Sequence, residues 1–266
     1  TDLSGTTNFL VLALLVTDLS GTTNFLVLAL LVLTSNETYF TRQIVVTALT
    51  TIWSLRLGTF LTIRVLIRHS DNRFDRIRDK FWPFLYFWCF QMVWVFAVSL
   101  PVTLTNASVA DCPLNSLDLI GWTLWAVGFA IETVADHQKF AHNMLPVDSR
   151  PPFLATGLWS VSRHPNYFGE IILWTGIFIT SCNVYSIAAN DMAFGYYLSA
   201  VSPVLTFLLL SFVSGIPLAE KKSDKRCAKL TKYKDYKRTT SPLIPFPPNL
   251  YKHLPNFVKV LLFLDF

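Results

Sequence analysis

Charge is scarce in this chain. Asp, Glu, Lys and Arg make up 15% of its 266 residues, against about 25% in an ordinary soluble domain. Hydrophobic residues make up 52%, and the mean hydropathy is +0.44. This balance argues against a water-soluble globule and for a chain immersed in a bilayer. Cysteine is sparse too. Cys89, Cys112, Cys182 and Cys227 lie far apart, with no C-x-x-C pair and no zinc spacing. No metal site is expected, and the four read as packing or surface thiols. The net charge of +5 would suit nucleic acid, but most of the positive residues lie in three loops, so no nucleic-acid partner is expected. No segment reads as a secretory leader, and the first residue is not Met.

What the chain has instead is rings and long apolar runs. It carries 22 Phe, 9 Tyr and 8 Trp, residues that gather at membrane interfaces and also fill helix contacts. Apolar segments run over Gln43 to Ile63, Trp82 to Leu104, Leu117 to Ala135, Phe168 to Ala189 and Phe194 to Leu218. Each approaches the ~20 residues that a spanning helix needs. Lys and Arg crowd residues 64–80, 136–165 and 219–253, whereas 105–117 and 183–193 hold neither. That alternation follows the positive-inside rule and puts the three basic loops on one cytosolic or matrix-like side. The tripeptides Asn36-Glu37-Thr38 and Asn106-Ala107-Ser108 have the form of glycosylation acceptors and fall on the opposite, lumenal side. The expected fold is all-α, a polytopic integral membrane helix bundle of about six or seven spans.

The N-terminus repeats itself. Residues Thr1 to Val16 recur letter for letter as Thr17 to Val32. A single identical tandem copy is not a solenoid period and reads as a recent duplication or an assembly artefact. Phe9 to Val16 and Phe25 to Leu33 are each too short to span alone. The expectation is one span interrupted at residues 17–24, or a re-entrant pair. Three regions follow: the duplicated 1–32, a membrane bundle over 33–218 and a basic cytosolic cap over 219–266.

Polar residues at membrane depth are costly and usually functional. The densest group is Arg163, His164, Asn166, Tyr167 and Glu170. Pro165 suits a first helical turn, so these residues stand at the positive mouth of a helix, where anions bind. Asn166 and Glu170, four apart, share a face. Glu132, Asp136, Lys139 and Asn143 are spaced to form one polar stripe on a helix. They read either as a salt-bridged helix end or as acceptors for a ribose or amide, with Lys139 for a phosphate. Arg56, Arg64, Arg68, Asn72, Arg73 and Asp75 form a third cluster, in which Arg forks suit phosphate oxygens. From Lys221 to Arg238 there are nine Lys or Arg and two Asp. Such a run is a solvated helix or attracts anionic lipid heads. Tyr233, Tyr236 and the stretch from Thr240 to Pro245 break it in a way that suits a cap over a site.

The string from Gly157 through Ser162-Arg163-His164-Pro165-Asn166-Tyr167-Phe168-Gly169-Glu170 resembles the signature of the steroid 5-alpha-reductase C-terminal-like membrane family, in its 3-oxo-5-alpha-steroid 4-dehydrogenase-like branch. Trp53 to Gly58, Arg73-Phe74-Asp75, Ala135 to Lys139, Ser214 to Leu218 with Glu220, and Tyr236 to Pro245 agree in order. The resemblance implies a helix bundle with a cytosol-facing chamber for NADPH and reduction of a carbon–carbon double bond in a membrane lipid. It also implies that Asp136 and Asn166 contact the cofactor, that Arg64, Asn72 and Arg73 help hold its phosphates, and that Arg163, His164 and Tyr167 belong to the shared site. Lys139 joins the cofactor-binding set. Tyr167, Glu170 and Glu132 are the candidate proton donors. A lipid-like substrate and the endoplasmic reticulum follow as expectations, with a mitochondrial or other inner membrane as the alternative.

The chain departs from the family at two points. The duplicated segment stands where relatives have another helix, and no acid–tyrosine pair for polarising the substrate stands out in the N-terminal half. Two alternatives stay open: a non-catalytic subunit of a larger membrane assembly, and a methyltransferase using S-adenosylmethionine, which shares the Arg-His-Pro entry. Against the latter, Glu220 is followed by Lys221 and Lys222 where a Glu-Glu pair is expected.

Overall fold

The computed structural model describes residues 3–68, 80–109, 111–187 and 193–265, and among them there are helices and no strands. The long helices are α1 (Leu3–Asn36), α2 (Thr41–Arg68), α3 (Phe81–Asn106), α4 (Ser116–Met144), α5 (Pro165–Ile187) and α6 (Ala193–Leu208). Shorter ones follow: α7 (Ile216–Cys227), α8 (Thr231–Thr239), α9 (Pro248–Tyr251) and α10 (Asn256–Phe263). Six helical stretches are long and apolar enough to cross a membrane: Leu19–Asn36, Thr41–Ile67, Phe81–Asn106, Ser116–Met144, Pro165–Val184 and Tyr197–Cys227. This is the polytopic membrane bundle that the composition predicts.

Two compact units make up the chain: Thr1–Ile120 with Ile177–Ser202, and Gly121–Gly176 with Pro203–Phe266. In the first, α1 packs on α2 and α3, and Phe25 sits edge-on to both Trp53 and Trp94 at 5.2 Å. The expected interruption of α1 is absent. The helix runs 34 residues without a break, about 51 Å at 1.5 Å per residue, passing straight through the polar stretch between the copies. In lipid a broken helix would leave backbone groups without partners. Here Thr22 turns its hydroxyl back onto the Leu19 carbonyl at 3.1 Å, and Ser54 of α2 donates to the Thr22 carbonyl.

The reading of Asn106 as a glycosylation acceptor also needs correction. Its side chain is fully buried, and its amide donates to the Ala29 carbonyl at 3.0 Å and the Thr47 hydroxyl at 2.8 Å. A side chain so held is no glycan acceptor. Asn36 donates its own amide to the Asn106 carbonyl at 2.7 Å. The pair therefore joins the end of α1 to the end of α3. Gln43 adds a bond of 2.9 Å to the Ser108 carbonyl.

In the second unit, α4 and α5 approach closely through glycine. A Cβ on Gly169 would lie 2.6 Å from both the Gly128 carbonyl and the Glu132 amide. One on Gly176 would strike the Gly121 carbonyl. Small residues let helix backbones meet where lipid offers no hydrophobic drive. This contact sets the spacing between the two helices that carry the candidate site.

Candidate functional site

The site is built where α5 begins. Pro165 is its first residue, as its missing N–H predicts. Just before it, the chain is fastened to the segment after α8. The Arg163 amide donates to the Ser241 carbonyl at 2.8 Å, the Phe246 amide to the Val161 carbonyl at 3.0 Å, and the Ser162 hydroxyl to the Leu243 carbonyl at 2.7 Å. Thr240, Ser241 and Leu243 are buried. The patterned break in the basic tail is thus a strap across residues 161–163.

Asp136 and Asn166, thirty positions apart, meet. The Asn166 amide nitrogen donates to an Asp136 oxygen at 3.2 Å. Its Oδ1 is buried without a partner. Two turns of chemistry surround this pair. On α4, Glu132 is buried, and Lys139 sets its ammonium 4.8 Å from the Trp159 ring centroid. Asn143 donates to the Lys139 carbonyl at 2.6 Å. Trp159 is itself fixed, because its indole donates to the Ala135 carbonyl at 3.0 Å. Gln138 accepts from the Leu158 amide at 3.0 Å, against Gly157 in its left-handed conformation (φ +62°), where any Cβ would collide with the Gln138 side chain. On α5, the Tyr167 ring stacks on His164, with centroids 5.3 Å apart and planes within 5°. Glu170 is half-buried one turn further in.

His164 and Arg163 are anchored from the tail. The His164 Nε2 is 3.0 Å from Glu220. A carboxylate only accepts, so Nε2 carries the proton there. Burial lowers the His164 pKa from its ordinary value, and Lys139 and Arg163 add to the lowering while Glu220 opposes it. The ring is neutral near pH 7, and its Nδ1 is left as a bare acceptor, buried and without a partner. Arg163 is 7% exposed. It pairs with Asp265 at 2.6 Å and Glu220 at 3.4 Å, and donates to the Lys237 carbonyl at 3.3 Å. Its charge is therefore already neutralised. Lys237 bridges Glu220 at 2.8 Å and Asp224 at 3.0 Å. Burial pulls its pKa down, but the two carboxylates more than offset that and hold it above the ordinary value. Tyr236 donates to the Trp159 carbonyl at 2.6 Å, and burial raises its pKa.

The structure thus brings Asp136, Lys139, Arg163, His164, Asn166 and Tyr167 into the second unit. Arg64 lies on α2 of the first unit, and Asn72 and Arg73 lie outside the described residues. Sequence reasoning missed Asp265 and Tyr251, whose hydroxyl donates to the other Asp265 oxygen at 2.6 Å. It also missed the work of Glu220. No local pattern announces a pairing across 102 residues. Among the described residues, no group of three His, Cys, Asp or Glu is placed to hold a metal ion.

Comparison with known proteins adds three findings. No solved structure matches the chain. Over 165 residues it is 26% identical to the uncharacterized protein C594.04c of Schizosaccharomyces pombe (strain 972 / ATCC 24843), covering 52% of this chain and 48% of that protein. It thus spans about half the length of that curated relative. The family model described as "Protein of unknown function (DUF1295)" matches residues 9–240, and with most of its length so matched, the chain belongs to the DUF1295 family.

Proposed function

We propose that this protein is an NADPH-dependent reductase of a carbon–carbon double bond in a membrane-dissolved lipid. One observation carries the reading: the Asn166–Asp136 hydrogen bond at 3.2 Å stands with two buried acceptors that lack donors, Asn166 Oδ1 and His164 Nδ1. Leaving such atoms unsatisfied costs about 1–3 kcal/mol each, so the site is made to receive donors. Ribose hydroxyls and a carboxamide are donors of this kind. The residues present therefore fit the cofactor that the resemblance to steroid reductases implies.

NADPH, when bound, supplies the hydride. Asp136 and Asn166 hold the polar edge of the ligand. Lys139 faces its phosphates, because Arg163 is taken up by Asp265 and Glu220. The proton that completes the reduction comes from Tyr167, Glu170 or Glu132. The substrate is a steroid-like or other enone-bearing lipid, and the endoplasmic reticulum is the membrane where such lipids are made.

A second reading has its own support. The charges of Arg163 and Lys237 are already paired with Glu220 and Asp265 of the same chain, as in a scaffold that no longer turns over. On this reading the chain is a reductase-derived subunit of a larger membrane assembly.

Calorimetric titration of the purified chain with NADPH, NADH and S-adenosylmethionine separates the readings. NADPH is expected to bind, and Asp136→Ala and Asn166→Ala each to weaken it about tenfold, the equivalent of about 1.4 kcal/mol. Unchanged affinity in both variants removes the site. Binding of S-adenosylmethionine alone turns the assignment to a methyltransferase. Binding of none of the three favours the scaffold.

A further inference from the structure

The polarity of α10 (Asn256–Phe263) is inverted. Its lysine points inward: Lys259 is 8% exposed, with its ammonium 4.7 Å from the Tyr251 ring centroid and donating to the Arg238 carbonyl at 3.3 Å. Phe263, one turn on, is buried against Phe246 and Tyr251, with centroids 5.1 and 5.2 Å away. The outer face is apolar. Phe257 and Leu261, four residues apart and so on one stripe, are 70% and 75% exposed, and Leu262 is 58% exposed. A surface helix in water shows the opposite arrangement.

Two further observations say what covers this face. The first is depth. Asp265, just past the end of α10, pairs at 2.6 Å with Arg163, which stands two residues before the apolar stretch Pro165–Val184. α10 therefore ends at the level where α5 enters the bilayer. The second is charge. Lys259 ties α10 to the end of α8, and along α7, α8 and their link Lys222, Lys225, Lys229, Lys232 and Lys234 are all exposed. Such cations attract anionic lipid heads. A helix with Phe and Leu outward beside them has the character of one lying in the interface plane.

We infer that α10 is an interfacial foot. It lies in the headgroup–acyl boundary of an anionic membrane, with Phe257, Leu261 and Leu262 in the acyl edge and the α7–α8 lysines on the headgroups. Lys259 is held inward by Tyr251 and the Arg238 carbonyl, so it anchors the foot to the protein and leaves the lipid-facing side uncharged. This surface is independent of the reductase reading.

Spin-label accessibility tests it on the full chain. Cys89→Ser and Cys182→Ser remove the exposed and half-buried thiols, while Cys112 and Cys227 are buried. A nitroxide is then placed at Phe257→Cys, at Leu261→Cys or at Lys252→Cys, all exposed positions where a label leaves the packing intact. Each protein goes into nanodiscs of phosphatidylcholine with or without phosphatidylserine. Collision with oxygen, which partitions into acyl chains, is expected to exceed collision with a water-soluble nickel chelate at 257 and 261. Their ratio should be several-fold above that at 252, and higher with phosphatidylserine. Nickel dominating at 257 and 261 overturns the foot. Shielding from both reagents overturns it as well and assigns the face to a protein partner. A ratio blind to phosphatidylserine overturns the anionic requirement.

Discussion

Two buried arginines, one in each unit, are used in opposite ways. Arg42 is 3% exposed and meets Asp118 as a two-pronged fork, at 2.7 and 2.8 Å. Its remaining nitrogen reaches the Cys112 carbonyl at 3.3 Å, and Asp118 also accepts from the Asn115 amide at 2.9 Å. Arginine's planar donors match a carboxylate in this way, and the pair is complete. Arg163 is divided among Asp265, Glu220 and the Lys237 carbonyl. Close by in sequence, His164 Nδ1 and Asn166 Oδ1 have no donor. A complete pair holds a fold together. A cluster with acceptors to spare has capacity for a ligand, and on the proposed function that capacity is used by the cofactor.

The largest test breaks the complete pair. Arg42→Met strands Asp118, which is 1% exposed, and removing one partner of a buried pair costs about 3–5 kcal/mol. Thermal unfolding in one detergent should show it, and adding Asp118→Leu should restore most of the loss. A single variant no worse than a surface substitution would end the comparison from the Arg42 side. Glu220→Gln comes next. It leaves Arg163, His164 and Lys237 in place but removes the charge they share. Hydrogen bonds to charged groups are worth about 1.5–3 kcal/mol, and the melt should fall by that order. NADPH affinity should fall too, since His164 loses its fixed tautomer; an effect on the melt alone would make Glu220 purely structural. Gly169→Ala drives a Cβ to 2.6 Å from the Gly128 carbonyl. Overpacking costs about 1–3 kcal/mol. Because α4 and α5 carry Asp136 and Asn166, this variant should lose binding out of proportion to stability. Arg42→Met should lose stability only.

What the sequence made legible follows from range. Spans and the start of α5 are local: an apolar run of sufficient length and a proline at a first turn declare themselves. The stripe of Glu132, Asp136 and Lys139 is legible because α4 is one continuous helix. The meeting of Asp136 with Asn166 came from the resemblance, not from any spacing. Arg42 was not legible, because it stands one residue before the apolar run that opens at Gln43, and its partner is 76 residues away. Asp265 was hidden for the same reason. The Asn106 tripeptide misled because the motif is blind to burial. The two copies of the 16-mer suggested a break because the apolar pieces Phe9 to Val16 and Phe25 to Leu33 are each too short to span alone, whereas lipid keeps a helix whole.

The smallest effect separates the two arginine clusters by pH. The imidazole of His164 has its pKa below the ordinary 6.5, whereas in the unfolded chain it takes a proton near pH 6.5. Between those values the unfolded state binds more protons, so stability rises with pH across that window. Lowering the pH from 7 therefore weakens this region until the folded pKa is passed, by at most about 1.4 kcal/mol per pH unit. Lys237 runs the other way. Its pKa is above 10.5, so its contribution is fully present below the unfolded value and is lost only as pH rises through the folded one. It adds no slope between pH 5 and 7. The side chains that meet Arg42 are those of Asp118 and Cys112, with no histidine among them. Amide hydrogen exchange at pH 5.5 and 7.5, corrected for intrinsic rates, should show protection falling at residues 161–170 and holding at the start of α2. His164→Gln cannot titrate and should flatten the change at 161–170. Equal protection at both pH values in the parent would mean that His164 does not resist protonation in the fold. Its Nδ1 would then be no acceptor, and the contrast between the complete and the open arginine cluster would rest on Asn166 alone.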